Sequence, residues 1–117
     1  ALDSGADALI VSNHGGRQLD GAPSSASVLP AIAQQVDRRC GLLVDGGLRS
    51  GIDVFRALAQ GADGVLIGRP WVWALAGAGE AGLRALIATW QNELRTTMAL
   101  AGVTRIADIG PQHLQPG

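Results

Sequence analysis

The sequence contains neither lysine nor tyrosine, and cysteine occurs once. Cys40 alone cannot form an internal disulfide or a cysteine-based metal site, so a reducing compartment is the default expectation. The apolar run between Arg69 and Glu80 is ten residues long, which is too short for a helix to cross a bilayer. The net charge of −1 gives no electrostatic indication of nucleic-acid or membrane-surface binding, so no nucleic-acid partner is expected.

The 117 residues are 47% hydrophobic, enough for the core of one domain. The chain opens without methionine and as if inside a helix that ends at Gly5, so we interpret residues 1–117 as a fragment of one larger domain. No targeting pattern opens the sequence, which makes the cytoplasm the expected location, with membrane association through an upstream segment left open. Residues 110–117 are expected to form a frayed tail.

Apolar runs and helical periodicity alternate along the chain, which predicts an α/β fold with a parallel sheet. The runs predict strands at 8–12, 41–45 and 63–67, and hydroxyl residues before the helical patterns supply caps. The predicted helices cover 25–38, a segment from Ser50 that stops at Gly61, a short piece from Pro70, and 80–101. Pro30 must lie in the first turn of its helix or kink it.

The loop at residues 12–20 follows the first strand and is dense in polar groups. His14 has a pKa range suited to proton transfer, and Arg17 can bind a small anion. Gly15 and Gly16 allow positive φ and a close approach of ligand to backbone. These features predict a catalytic loop, whereas the simpler alternative is a hydrogen-bonded structural histidine beside a surface arginine.

Glycine-rich loops also follow the second and third strands. Each loop opens a helix, and each contains an arginine, which together predict a phosphate site built from backbone N–H groups and guanidinium groups. The alternative is a pair of ordinary glycine turns with solvent-exposed arginines. The residues concerned are Asp45, Gly46, Gly47, Leu48, Arg49, Gly68 and Arg69.

Three segments together resemble the FMN-dependent α-hydroxy-acid oxidases and dehydrogenases over Ala1 to about Leu114. The segments are Ser12-Asn13-His14-Gly15-Gly16-Arg17-Gln18, Asp45-Gly46-Gly47-Leu48-Arg49 and Ile67-Gly68-Arg69-Pro70. The resemblance implies a TIM (β/α)₈ barrel of which this chain is the C-terminal part, covering about strands 6 to 8 and their helices. It also implies an oxidoreductase that converts an L-2-hydroxy acid of the lactate, glycolate or mandelate type into the 2-keto acid.

The same resemblance assigns a role to each matching position. His14 would be the active-site base and Arg17 would bind the substrate carboxylate, while the cofactor would be FMN. The FMN ribityl and phosphate would contact Asp45, Gly46, Gly47, Leu48 and Arg49, and Gly68 and Arg69 would complete the phosphate cradle. The resemblance leaves the electron acceptor and the order of proton and hydride transfer open, and favours a homo-oligomer for the full-length protein.

Some groups that the family uses are missing from this sequence. The family places a lysine near the flavin and tyrosines at the substrate, and this chain has neither residue. We therefore expect the 117 residues alone to bind FMN poorly and to be inactive. Two alternatives stay open: a phosphate-binding barrel isomerase, and a non-catalytic truncated or split subunit.

Overall fold

A computed structural model describes residues 2–115 and contains a parallel three-stranded sheet in the order β1-β2-β3. The strands are β1 (Ala8–Val11), β2 (Gly41–Val44) and β3 (Gly64–Val65). Parallel neighbours that follow each other in sequence need a crossover between them, and a helix provides each one. The predicted α/β class is thereby confirmed, although β3 is shorter than the predicted strand at 63–67.

Three helices accompany the sheet: α1 (Ser25–Val36), α2 (Gly51–Ala59) and α3 (Arg69–Leu100). Short 3-10 helices cover Leu2–Ser4, His14–Gly16, Ile106–Asp108 and Pro111–His113. None of the helices within residues 2–115 is both long enough and apolar enough to cross a membrane.

Helix α1 begins at a serine cap, because the Ser24 side chain accepts a hydrogen bond from the Ser27 N–H. It ends at Val36, two residues before the predicted end, because Asp37 adopts a left-handed backbone (φ 48°). Pro30 is the sixth residue of α1, so of the two predicted alternatives it does not take the first-turn position. Pro30 and Ala26 are both exposed, and water can satisfy the Ala26 carbonyl that the proline leaves without its helical donor.

The separation predicted between the short piece from Pro70 and the helix at 80–101 is confirmed inside α3. Ala78 (φ −148°, ψ 22°) and Gly79 (φ 59°, ψ −145°) leave helical geometry, which divides α3 into an arm at 69–77 and an arm at 80–100. The first arm starts with Pro70 in its first turn, as predicted, because proline lacks the N–H that the helix start would leave unsatisfied.

One face of the sheet is covered and the other is open. The covered face forms the main core, in which Leu42 and Val44 of β2 pack with Val11, Leu29 and Val36. On the opposite face, Ile10 is 56% exposed. The helices therefore bury one face of the strands, while the residues described here leave the other face in contact with solvent.

A second core cluster connects α2 and α3 to the C-terminal segment through Phe55, Met98 and Ile109. The His113 ring packs edge-on against Phe55, with 6.0 Å between the ring centroids, and His113 belongs to a 3-10 helix. Packing of this kind offsets part of the entropy of ordering Pro111–His113, while the frayed tail expected over residues 110–117 stays a prediction. Pro116 and Gly117 lie outside the described residues.

An exposed ion pair lies within the same C-terminal segment. Arg105 donates two hydrogen bonds to the Asp108 carboxylate, at 2.8 and 2.7 Å. These bonds from the guanidinium lower the pKa of Asp108 below its ordinary value. Exposure to water keeps the contribution of such a pair to folding small.

Candidate functional site

The loops that follow the three strands meet at one edge of the sheet. Val11 pairs with Val44, and Val44 pairs with Val65, so the three strands end level with one another. The ladder continues one step further, because the Asp45 N–H donates to the Val11 carbonyl at 3.1 Å. The polar loops after the strands therefore lie side by side, as the carboxyl ends of parallel strands do in α/β proteins generally.

The first of these loops contains a 3-10 turn at His14–Gly16. The backbones of His14 (φ 56°) and Gly15 (φ 67°) are left-handed, and the side chains of His14 and Arg17 are exposed. The Asn13 side chain anchors the loop by donating to the Pro23 carbonyl at 3.3 Å. The predicted base His14 and the predicted carboxylate-binding Arg17 are therefore both open to solvent within the described chain.

A serine that sequence reasoning did not single out connects the first loop to the second. The Ser12 hydroxyl donates to Asp45 Oδ2 at 2.8 Å and accepts from the His14 N–H at 3.1 Å. A signal for this contact was present, because Ser12 and Asp45 each come directly after residues of adjacent strands. Side chains at such positions fall next to each other once the register is known.

The seven residues predicted to hold the cofactor line a single cavity of about 260 Å³. Gly15, the neighbour of His14, lines it as well, whereas His14 and Arg17 do not. The structure thus brings the second and third loops together around one space and places the first loop at its margin. We call this space the cradle; its predicted members are Asp45, Gly46, Gly47, Leu48, Arg49, Gly68 and Arg69.

The two helix N-termini beside the cradle differ in what caps them. In α2, Ser50 Oγ accepts from the Asp53 N–H at 3.2 Å, as predicted, and Glu93 Oε2 accepts from the Gly51 N–H at 2.6 Å. The Asp53 carboxylate accepts from the Arg49 N–H rather than closing back on Ser50. In α3, Gly68 supplies no side-chain cap. Apart from Pro70, which has no N–H, the first residues of α3 therefore offer the better donors for an anion in the cradle.

Arg49 has a defined orientation at the edge of the cradle. Its guanidinium lies over the Trp73 ring, 5.4 Å from the centroid, and its Nη1 donates to the Leu48 carbonyl at 3.1 Å. Trp73 is 59% exposed, and its ring contacts this arginine. The stacking is possible because the first arm of α3 starts at the third loop, directly beside the second.

The donors around the cradle fit a phosphate ester that carries hydroxyl groups. Gly46 (φ 96°) and Gly47 (φ 78°) adopt backbone conformations that side chains disfavour, and a Cβ at Gly47 would point into open space. Two arginines supply the positive charge, while Asp45 Oδ1 is buried without a hydrogen-bond partner. Within residues 2–115, no group of histidine, cysteine, aspartate or glutamate side chains is arranged to hold a metal ion.

Comparison with known proteins identifies close relatives along the whole chain. The L-lactate dehydrogenase of Allorhizobium ampelinum is 56% identical over 117 residues, which is 100% of this chain and 31% of the relative. The L-lactate dehydrogenase of Caulobacter vibrioides is 58% identical over 109 residues, covering 93% of this chain and 28% of the relative. The chain therefore spans about a third of the length of the curated relatives it matches.

Solved structures show the same arrangement of elements. Mandelate oxidase with benzoyl-formic acid superimposes with a TM-score of 0.89 at 50% identity, over 92% of this chain and 32% of that chain. A Pediococcus acidilactici protein described as a lactate oxidase superimposes with a TM-score of 0.90 at 46% identity, over 93% and 30%. Another of these structures is a mandelate oxidase variant with a monooxide FMN adduct.

The family model of FMN-dependent dehydrogenases matches residues 1–116. This match confirms the resemblance stated from the three glycine-rich segments, and it confirms FMN as the cofactor of the family. On the length of the match and the identity to its relatives, the chain belongs to the family of FMN-dependent dehydrogenases.

Proposed function

We propose that this chain supplies the catalytic histidine and the phosphate cradle of an FMN-dependent oxidoreductase that acts on L-2-hydroxy acids. The observation that carries the proposal is the meeting of the three loops at one sheet edge. Gly15, the residue after His14, lines the same cavity as Asp45 and Arg69. A histidine and an arginine at the margin of a phosphate site can work on a small anion that lies next to the bound cofactor.

The proposal includes the architecture of the whole domain. Three parallel strands with alternating helices, ending at a phosphate site, correspond to strands 6 to 8 of a TIM barrel, in which such sites follow strands 7 and 8. The exposed sheet face at Ile10 then faces the inside of the barrel. The remaining strands would come from sequence that precedes Ala1 in a longer protein.

Arg17 and His14 divide the work on the substrate. The Arg17 guanidinium pairs with the carboxylate, where two parallel N–H donors give both affinity and orientation. The His14 imidazole takes a proton from the substrate at its unprotonated ring nitrogen, and the imidazolium that results stabilises the neighbouring negative charge. Loss of two electrons and two protons converts the 2-hydroxy acid into the 2-keto acid.

The cradle holds the phosphate end of FMN. Gly46 and Gly47 admit the phosphate close to the backbone, and Arg49 and Arg69 neutralise its charge. The Asp45 carboxylate is available to ribityl hydroxyl donors. When bound, FMN supplies the acceptor for the two electrons that leave the substrate.

The names of the relatives support a small hydroxy acid as substrate. The curated relatives are L-lactate dehydrogenases, and one solved structure is mandelate oxidase with benzoyl-formic acid. We propose a lactate-like or mandelate-like substrate, with a homo-oligomer as the assembly of the whole protein.

The proposal is tested by His14→Gln in the protein expressed from the complete reading frame that encodes this sequence. FMN should remain bound, because His14 does not line the cradle. Reduction of the flavin by lactate, glycolate or mandelate, followed by stopped-flow absorbance, should slow by about 10²-fold or more, the usual contribution of a positioned base.

His113→Gln is the matched control, because it changes the other histidine, which packs against Phe55 and does not line the cradle. Its flavin reduction should equal that of the unmodified protein. Unchanged reduction in His14→Gln would remove His14 from the mechanism, and failure of the unmodified protein to retain FMN would contradict the proposed function.

A further inference from the structure

One side chain contacts both loops that the proposed function requires. The Ser12 hydroxyl donates its proton to Asp45 Oδ2 at 2.8 Å, and its oxygen accepts the His14 N–H at 3.1 Å. A serine hydroxyl has a single proton, so these two bonds settle its orientation. Asp45 belongs to the cradle, whereas His14 belongs to the loop beside it, and Ser12 bridges the two.

The backbone that receives this bond is in an unfavourable conformation. His14 has a φ of 56°, in the left-handed region, where a side chain costs energy that glycine avoids. Two backbone bonds close the turn around it: the Gly16 N–H donates to the Asn13 carbonyl at 3.0 Å, and the Arg17 N–H donates to the His14 carbonyl at 3.4 Å. The N–H of His14, the residue with the left-handed backbone, donates to the Ser12 hydroxyl oxygen.

We propose that Ser12 is a positioning residue: it holds the His14 backbone in its left-handed conformation by anchoring it to the Asp45 carboxylate of the cradle. The inference rests on the proposed function, which assigns cofactor binding to Asp45 and proton transfer to His14. Ser12 touches neither substrate nor the reacting atoms in this scheme and acts through His14.

The bridge makes cofactor binding and histidine placement depend on each other. A group bound in the cradle restricts the Asp45 carboxylate, which restricts the Ser12 hydroxyl and, through it, the His14 turn. Coupling of this kind is reciprocal, so a well-formed His14 turn also favours binding in the cradle. FMN should therefore order the loop that carries Arg17, and it should do so less effectively when the hydroxyl is absent.

The test measures loop order directly, with trypsin cleavage after Arg17 as the readout. Variants Ser12→Ala and Ser12→Thr are made in the protein expressed from the complete reading frame, and the cleavage rate is followed by mass spectrometry with and without FMN. Without FMN, Ser12→Ala should be cleaved about tenfold faster than the unmodified protein, the effect of losing a hydrogen bond to a charged group. Ser12→Thr retains the hydroxyl and should stay within about twofold of the unmodified protein.

Ser24→Ala is the matched control, because Ser24 caps α1 a few residues beyond the same loop without touching the bridge. It should be cleaved after Arg17 at the unmodified rate. Equal rates for Ser12→Ala and the unmodified protein would overturn the proposal, and so would equal acceleration in Ser12→Ala and Ser24→Ala, which would indicate general loosening. If Ser12→Ala does not fold, Ser12→Cys replaces it with the same expectation, since a thiol is a weak donor and acceptor.

A second readout separates this inference from the proposed function. FMN should slow cleavage of the unmodified protein more than that of Ser12→Ala, and flavin reduction by hydroxy acid should be about tenfold slower in Ser12→Ala at full FMN content. The rate of trypsin cleavage without FMN does not depend on whether the protein oxidises a hydroxy acid. A protein that oxidised no hydroxy acid would therefore contradict the proposed function while cleavage without FMN still decided the role of Ser12.

Discussion

At the scale of single residues, Arg49 shows how a neighbour outside the motif can prepare a motif residue for its ligand. Its guanidinium lies 5.4 Å from the centre of the Trp73 ring and is also bonded to the Leu48 carbonyl. Stacking on an aromatic face reduces the number of orientations that the long arginine side chain samples. Part of the conformational entropy that Arg49 would lose on binding a phosphate is therefore already lost before the ligand binds.

Replacing Trp73 by leucine should therefore weaken FMN binding. A cation–π contact at an exposed site contributes about 0.5–1 kcal/mol, which corresponds to an increase of about two- to fivefold in the FMN dissociation constant. Quenching of flavin fluorescence measures this constant when FMN is titrated with the apoprotein expressed from the complete reading frame.

Trp73→Phe keeps an aromatic face under Arg49 and should bind FMN more tightly than Trp73→Leu. An identical dissociation constant for the leucine variant and the unmodified protein would show that the stacking does not prepare Arg49.

At the scale of elements, α2 and α3 cross closely enough to require a glycine. A Cβ on Gly51 would overlap the Trp90 carbonyl and would lie 2.7 Å from the Glu93 Cβ. At the same point the Glu93 carboxylate accepts the Gly51 N–H, so one residue of α3 caps the start of α2. This crossing fixes where α2 begins and, with it, where the second loop meets the cradle.

Gly51→Ala should destabilise the protein despite the higher helix propensity of alanine. Overpacking at a close helix crossing costs about 1–3 kcal/mol, because the backbone must move apart. Urea unfolding followed by tryptophan fluorescence would show this loss of stability as a lower midpoint concentration of urea.

Gly77→Ala, which lies in α3, is the control and should change the stability in the opposite direction. A Cβ at Gly77 meets no atom within 4 Å, so alanine there should stabilise α3 by about 0.5–1 kcal/mol through propensity alone. A Gly51→Ala midpoint equal to or above that of the unmodified protein would contradict the close crossing.

At the scale of the whole molecule, the described residues leave one sheet face without a cover. Ile10 is 56% exposed on that face, and Leu66, which follows β3, is 40% exposed. Further apolar surface lies on the first arm of α3, where Trp71 and Val72 are 40% and 46% exposed. Exposed apolar area of this kind indicates surface that packs against another part of a structure.

The 117-residue polypeptide produced alone should consequently self-associate and retain little FMN. Three strands leave sheet edges that can pair with other copies, and about eight strands are needed to close a barrel. Size-exclusion chromatography with flavin absorbance measures both properties. A monomer that retains FMN stoichiometrically would contradict this expectation, and the complete reading frame expressed in parallel is its control.

Local signals in the sequence predicted most of the elements well. The Ser24 and Ser50 caps, the break near Gly79 and the apolar runs at the strands are each encoded within a few residues, so they could be found without the fold. The weaker predictions involve competition between local and tertiary terms. Pro30 is accommodated within α1, and Pro111–His113 is ordered by packing of His113 against Phe55, which lies far away in sequence.

The family, the cofactor class and the candidate residues could be inferred from the sequence, because three short segments with glycines, a histidine and arginines at strand ends resemble those of a known family. Which of these groups come into contact depends on how the whole chain packs. Ser12 reaches Asp45 across 33 positions, Glu93 caps Gly51 across 42, and the seven cradle residues share one cavity. Such contacts depend on strand register and helix crossing, which arise from packing of the whole chain rather than from any short segment of it.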